Sequence, residues 1–409
     1  MLKLFKQNKM FRVLLMYQFF SGIGGAMFSM FILLSVHLIY QNPIYTGIAG
    51  FLMAAPHIIS FAVGPIVDRR NKVTIMRLTT FLELLVLSLL AFTPLQEHFG
   101  IVFMFFVIFA YAVAALFEGP ACTALLPQIV EEDEIMRANS LINIVAMAGG
   151  IIIGVVLLTA LGGEINFSFL YGFSAIFVAL AFFFSLFLKS ANENAEKSSS
   201  PNYLQDLKEG AKFIRRSILL YVTLAIVAMV FVGEIAYVNR PMFLEYHVGA
   251  QGYVLFTLMV LIGGIVASSF VGTLGNKFKV GKLVFILFVI AGAARIVFAV
   301  LVPIHLIGAL ITMVAFAILV TSVDIIFSSL NQKIPPKDMV GRVSTISTTF
   351  VAIFVAIGAF VGGFLGNIVS DAGHIFVYQG ISLVVIGVAI MFIPSIRKLP
   401  KMDEIKKDD

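Results

Sequence analysis

Twelve apolar runs, each long enough to cross a bilayer, divide the chain at about 12–40, 47–66, 73–93, 101–122, 139–162, 167–188, 217–240, 252–272, 282–302, 306–331, 343–368 and 375–394. A hydrocarbon layer takes roughly 20 helical residues to cross, and in lipid each backbone N–H and C=O must find its partner inside the segment, as it does in a helix. Repeated runs of this length point to an all-α polytopic membrane protein. The composition agrees, with 60% hydrophobic and 12% charged residues, against roughly 45–50% and about 25% in soluble domains.

The junctions between the runs set the orientation. Of the 28 Lys and Arg residues, 26 fall on one side of the hairpins, and only Arg240 and Arg295 fall elsewhere. Basic residues are retained on the cytoplasmic side, so both termini and the central linker are expected in the cytoplasm, with the protein multi-pass in the cell (plasma or inner) membrane. The net charge of +6 is thus an orientation signal rather than a nucleic-acid surface, and no phosphate-binding loop or basic patch interleaved with aromatics argues otherwise. A single cysteine, Cys122, excludes an internal disulfide and a multi-cysteine metal site. The basic start and long first run read as a retained first helix, since no small-residue cleavage site precedes it.

The linker has two parts. Lys189 to Pro201 is rich in Ser, Asn and charge, whereas Leu204, Leu207, Ala211 and Ile214 recur at helical spacing opposite Lys208, Lys212 and Arg215. The second part reads as a short amphipathic helix at the inner membrane face. The expected organisation is a bundle over 1–188, a linker over 189–216, and a second bundle with a tail over 217–409.

Three pieces of sequence occur twice. Gly64-Pro65-Ile66-Val67-Asp68-Arg69-Arg70-Asn71-Lys72 fills the junction after the second run, and Gly272-Thr273-Leu274-Gly275-Asn276-Lys277 fills the equivalent junction 208 residues later. Ile129, Asp133 and Arg137 return 205 residues later as Ile334, Asp338 and Arg342, and Gly149 with Gly154 returns 209 residues later as Gly358 with Gly363. A near-constant offset over six runs per half describes parallel repeats related by an axis along the membrane normal.

With these motifs the chain resembles the major facilitator superfamily over essentially its whole length. Gly64, Asp68, Arg69 and Lys72 match the family's loop between spans two and three, with Asn71 in place of a second Gly, a substitution expected where a turn needs positive φ. Pro120-Ala121, Ala124-Leu125-Leu126-Pro127-Gln128-Ile129-Val130 and Arg137-Ala138-Asn139-Ser140-Leu141 resemble the branch of macrolide-efflux and siderophore-exporting proton antiporters, and lysophospholipid transporters carry similar wording. Two features depart from the drug antiporters: Gly149-Gly150 stands where they carry Gly-Pro, and no Arg lies in the fourth span. The resemblance implies twelve helices in two pseudo-symmetric six-helix bundles. It also implies alternating access, a monomer, and a proton gradient in place of any metal or other cofactor. The implied cargo is a small amphipathic organic molecule of drug or siderophore type, with a lysophospholipid or other lipid-like solute as the alternative. A membrane-embedded enzyme would need His and acid residues clustered on facing spans, and the six His residues are dispersed; a channel is disfavoured by the twofold repetition.

Ionisable residues inside spans are the functional candidates, because a charge near a helix centre costs about 2.5–3.5 kcal/mol on insertion scales. The resemblance puts spans one, four, seven and ten around a central cavity. Glu118, Glu234 and Asp324 then become the acids expected to meet water, substrate or proton, and an acid in a poorly hydrated cavity exchanges its proton near neutral pH. His57 and Glu83 are expected to form a structural pair between adjacent spans, and Arg295 to pair with Glu234. Tyr17 and Gln18 are expected to face the cavity, and Phe28, Phe117, Phe231, Tyr237 and Phe327 to give it an aromatic wall. Gly64, Asp68, Arg69 and Lys72 form the expected gating loop, in which Asp68 would reach the start of the eleventh span near Gly341 to Thr345, where a helix N-terminus favours an anion.

Overall fold

The computed structural model describes residues 8–131, 134, 138, 141–142, 145, 166–189, 203–336 and 339–405. The ordered elements among them are helices: α1 (Lys9–Tyr40), α2 (Pro43–Ala54), a 3₁₀ turn (Ala55–Ile59), α3 (Ser60–Asp68), α4 (Lys72–Ala91), α5 (Thr93–Ile129), α6 (Phe167–Ser185), α7 (Tyr203–Arg216), α8 (Leu219–Val238), α9 (Arg240–Lys277), α10 (Val280–Leu301), α11 (Leu306–Lys333), α12 (Val340–Ile368), α13 (Gly373–Phe392) and α14 (Pro394–Arg397), with a second 3₁₀ turn at Met402–Glu404. Eleven stretches among the described residues are long and apolar enough to cross a membrane. The expected fifth span, 139–162, lies outside the described residues, as do Asp133, Arg137, Asp338, Gly149, Gly150 and Gly154.

The chain divides into two compact units, Met1–Gln41 with Leu52–Ser199, and Asn42–Phe51 with Ser200–Asp409. The division falls inside the expected linker, and it assigns the start of the second span to the second unit.

Side chains settle the helix ends. Asn8 caps α1 by accepting the Phe11 N–H at 3.0 Å, and its Nδ2 donates to the Ile129 carbonyl at 2.7 Å, which ties the start of α1 to the end of α5. Asn71 caps α4, its Oδ1 accepting the N–H groups of Val73 and Thr74 at 3.0 and 3.2 Å. Its φ is −67°, so the expectation of positive φ is corrected: Asn occurs here because its side chain satisfies orphan N–H groups at a helix start. Positive φ occurs instead at Gln41, which ends α1, and at Gly100 and Gly249, which break α5 and α9 without a neighbour in the way, where an L side chain would be strained. The stretch between the seventh and eighth apolar runs, 241–251, is helical from Arg240 and bends at Gly249.

Near the start of α4, Arg77 donates from Nε to the Ser185 carbonyl and from Nη2 to the Leu186 and Leu188 carbonyls, at 3.0 to 3.1 Å. A guanidinium is well suited to the unpaired carbonyls that end a helix. We expect Arg77→Gln to destabilise the solubilised protein by about 1–3 kcal/mol, read as a lower thermal midpoint; an unchanged midpoint would mean that water serves those carbonyls equally well.

Small residues bring the helices of each unit into backbone contact. In the first unit Ser174 Oγ of α6 donates to the Gly24 carbonyl at 3.0 Å, and Ser35 meets Tyr171 at 2.5 Å. In the second unit Gly358 and Gly362 of α12 lie against Phe231 and Ile235 of α8, and Gly366 lies against Asn239, which ends α8; Asn239 Nδ2 donates to the Gly362 carbonyl at 2.8 Å. Gly363 meets Gly47 of α2 on another face of the same helix, and Gly292 of α10 meets Gly380 of α13. Small-residue faces are the usual means of helix association in lipid, where burial from water gives no driving force.

Candidate functional site

In the first unit, polar groups from three helices converge on one acid. Tyr17 of α1 is fully buried, donates to Glu118 Oε1 at 2.6 Å and lies 2.7 Å from Thr80 Oγ1 of α4. Ser21, one turn along α1, donates to the same Glu118 oxygen at 2.6 Å. Gln18 Nε2 reaches Cys122 Sγ, one turn beyond Glu118 on α5. Glu118 itself is partly exposed.

Glu83 of α4 stands behind this group, 1% exposed, with its carboxyl in hydrogen-bonding reach of Glu118. The expected His57–Glu83 pair is therefore corrected. His57 sits exposed in the 3₁₀ turn between α2 and α3, whereas the face of α4 that carries Thr80 and Glu83 turns toward α1 and α5. Phe28 is buried in a stack with Tyr111, ring centroids 3.7 Å apart, and Phe117 is partly buried against the same unit's core; neither presents an open aromatic wall.

In the second unit the acids stand apart. Glu234 of α8 faces α12, where a methyl group on Gly358 would lie 3.1 Å from its Cβ, and the cation that acts on it is Arg240. Arg240 lies over the Tyr237 ring at 4.8 Å. The expected Arg295–Glu234 pair does not form. Arg295, 1% exposed, is enclosed by the rings of Phe298, Phe316 and Phe376 at 4.5 to 4.9 Å; its Nε donates to Gln379 Oε1 at 2.6 Å and its Nη1 points at the Met313 sulfur. Aromatic faces and one amide oxygen take the place of a carboxylate, and each desolvated cation–π contact is worth up to about 2 kcal/mol. A Lys ammonium cannot stack in this way. We expect Arg295→Lys to lower the thermal midpoint clearly and Arg295→Met to be milder, because Met leaves no buried charge; equal stability of the Lys variant would show that the rings do not hold the cation.

Asp324 of α11 is exposed. An exposed acid within a span implies a hydrated surface rather than lipid. One crossing links it to a polar face that sequence reasoning missed: a methyl group on Gly264 of α9 would lie 3.9 Å from Thr321 Oγ1 of α11, and one turn further along α9 begins the series Ser268, Ser269, Gly272, Thr273, Asn276 and Lys277. These residues line an open cavity of ≈ 600 Å³. The signal was present, since Ser269, Thr273 and Asn276 fall on one helical stripe; reading them only as a second copy of the charged junction hid it. Phe231 meets Phe354 edge to face, while Phe327 is fully buried in the core beside Phe288.

Of the expected gating loop, Arg69 is exposed and Lys72 is buried at the start of α4, while Gly64 lies within α3 with nothing against it. The Asp68 side chain lies outside the described residues. The start of α12, where Asp68 was expected, carries Arg342, which pairs with Glu209 of α7 at 2.6 Å. Among the described residues no group of three His, Cys, Asp or Glu side chains is placed to hold a metal ion.

A family model of the Major Facilitator Superfamily matches residues 14–359. The chain belongs to the Major Facilitator Superfamily. Its fold is shared with solved structures of transporters at low sequence identity. The nucleoside transporter NupG superimposes with a TM-score of 0.74 at 13% identity, covering 97% of this chain and 100% of that one. A POT family transporter in complex with 5-aminolevulinic acid gives 0.72 at 15%, covering 96% and 97%. A D-xylose-proton symporter gives 0.70 at 12%, covering 97% and 98%. No curated protein sequence matches the chain significantly. This superfamily member is thus a multi-pass membrane transporter, and its intramembrane acids have to be read from its own geometry.

Proposed function

We propose that this transporter is a proton-coupled secondary carrier that exports an amphipathic organic molecule of drug or siderophore type by alternating access, with both termini in the cytoplasm. One observation carries the reading: Glu118 is a partly exposed acid inside the fourth span, held by Tyr17 and Ser21 of the first and with no ion pair among the described residues. An acid placed so can take up and give off a proton without losing its position. The exposed Asp324 and the polar cavity wall of α9 supply a second hydrated surface, suited to the polar part of a cargo. A proton symporter among its structural neighbours accords with proton coupling; the export direction and the cargo class rest on the sequence motifs at Pro120–Val130 and Arg137–Leu141.

The test is transport into and out of proteoliposomes with an imposed proton gradient, using a panel of amphipathic cationic dyes, siderophores and lysophospholipids. At least one dye or siderophore is expected to move only while the gradient stands and to stop on addition of a protonophore. Movement confined to lysophospholipids, or movement indifferent to the gradient, would reject the reading. In the same assay Asp324→Asn is expected to lower proton-driven movement several-fold with normal membrane insertion; full activity would place Asp324 outside the transport path.

A further inference from the structure

Two acids in contact, deep in one helical unit and without a cation between them, need an explanation that neither acid provides alone. Glu83 Oε1 is buried and receives no hydrogen bond from any described donor, although its carboxyl is in hydrogen-bonding reach of Glu118. The donors of the cluster are all on the Glu118 side, where Tyr17 and Ser21 both donate to Oε1. The Thr80 hydroxyl turns to the Met76 carbonyl at 2.7 Å and to Tyr17. The other titratable groups around the pair are Tyr17 of α1 and Tyr111 and Cys122 of α5; they are hydroxyl and thiol groups and bring no positive charge. His57, in the 3₁₀ turn between α2 and α3, is exposed and does not join them.

Two ionised carboxylates in contact in a poorly polarisable interior repel strongly, and a hydrogen bond between two carboxyls exists only when one of them carries the hydrogen. We propose that Glu83 and Glu118 form one proton-binding site, in which a single proton is shared between the two carboxyls. Glu118, partly exposed, is the member through which the proton enters and leaves, and Glu83, buried, is the member that retains it. On release, the O–H bond on Glu83 breaks as one forms on Glu118, that bond breaks in turn, the proton passes to water, and the pair goes from one negative charge to two. The hydroxyl hydrogens of Tyr17 and Ser21, already directed at Glu118, meet the added charge. Uptake reverses the step, and nothing else is consumed. The inference rests on the proton-coupled reading, and it names Glu83 as the second half of the coupling site, where the sequence assigned it to a structural pair.

The test is infrared difference spectroscopy between acid and alkaline pH on the purified, lipid-reconstituted protein, with no cargo and no transport involved, so it stands or falls separately from the carrier assay. The wild-type protein is expected to lose one protonated-carboxyl band on alkalinisation. Glu83→Gln and Glu118→Gln should each displace or remove that band, and the double variant should remove it altogether. Tyr17→Phe, which withdraws one donor and keeps both acids, should displace it as well, so the inference remains open to test if Glu83→Gln fails to fold. A band unmoved in position and pH dependence in either single acid variant, or no such band in the wild type, overturns the shared proton. If the band behaves as expected and yet no probe moves with the proton gradient, the paired site stands and the carrier reading fails.

Discussion

Gly380→Leu is expected to leave no folded, monodisperse protein after solubilisation. Gly380 of α13 and Gly292 of α10 face each other backbone to backbone. Even a methyl group at Gly380 would stand 2.6 Å from the Gly292 carbonyl oxygen and 2.6 Å from the Ile296 side chain, with the Ile296 nitrogen at 3.1 Å. Backbone cannot give way as a flexible side chain can, so the two helices would have to separate along the crossing. Overpacking ordinarily costs about 1–3 kcal/mol; here a single added carbon meets that range, and a Leu side chain exceeds it. Separation would also disturb Arg295, whose Gln379 partner is adjacent to Gly380 in sequence. Size-exclusion profiles of the detergent-extracted variants give the measurement. Gly380→Ala should show a lower thermal midpoint and Gly380→Leu an aggregate, and a sharp, stable Leu peak would mean that the crossing is looser than described.

Glu118→Gln is expected to abolish proton-driven accumulation to the level of empty liposomes while leaving the protein folded. The two parts of the expectation have different causes. The Gln amide oxygen can still accept the Tyr17 and Ser21 hydroxyls that Glu118 Oε1 accepts at 2.6 Å, so the junction of α1 and α5 loses little. What is lost is the ability to hold an exchangeable proton, which no neighbouring hydroxyl restores. Exchange of cargo down its own gradient should continue. Transport measured with and without an imposed proton gradient separates the two, and gradient-driven accumulation at the wild-type level in this variant would remove Glu118 from the coupling path.

Much of the membrane architecture was legible because span length and charge placement are local properties. A run of about 20 apolar residues must be a helix wherever it packs, and eleven such stretches appear among the described residues. That Glu118 had to be accounted for was legible for the same reason, since an acid in a span is costly by itself. Its companions were not. Tyr17 was expected in a cavity and lies fully buried against Glu118; Glu83 was expected to meet His57, and Arg295 to meet Glu234. Each error concerns the direction in which a helix face points. One residue turns that direction by about 100°, and apolar spans carry almost no moment to betray it, because lipid and protein interior select similar side chains.

Asn71 shows the same division at the scale of one residue: its place at a turn was evident, but whether it supplied positive φ or a side-chain cap depended on the helix that starts beside it. From the sequence alone came the class of fold, the count and approximate limits of the spans, the doubling of the chain and the acids that had to be accounted for, all consequences of solvation cost and repetition. Only the tertiary structure decided which acids stand together, that aromatic rings rather than a carboxylate hold Arg295, and that the polar stripe of α9 lines a cavity. Those outcomes follow from helix rotation, which is set by glycine contacts and buried hydrogen bonds between segments far apart in the chain.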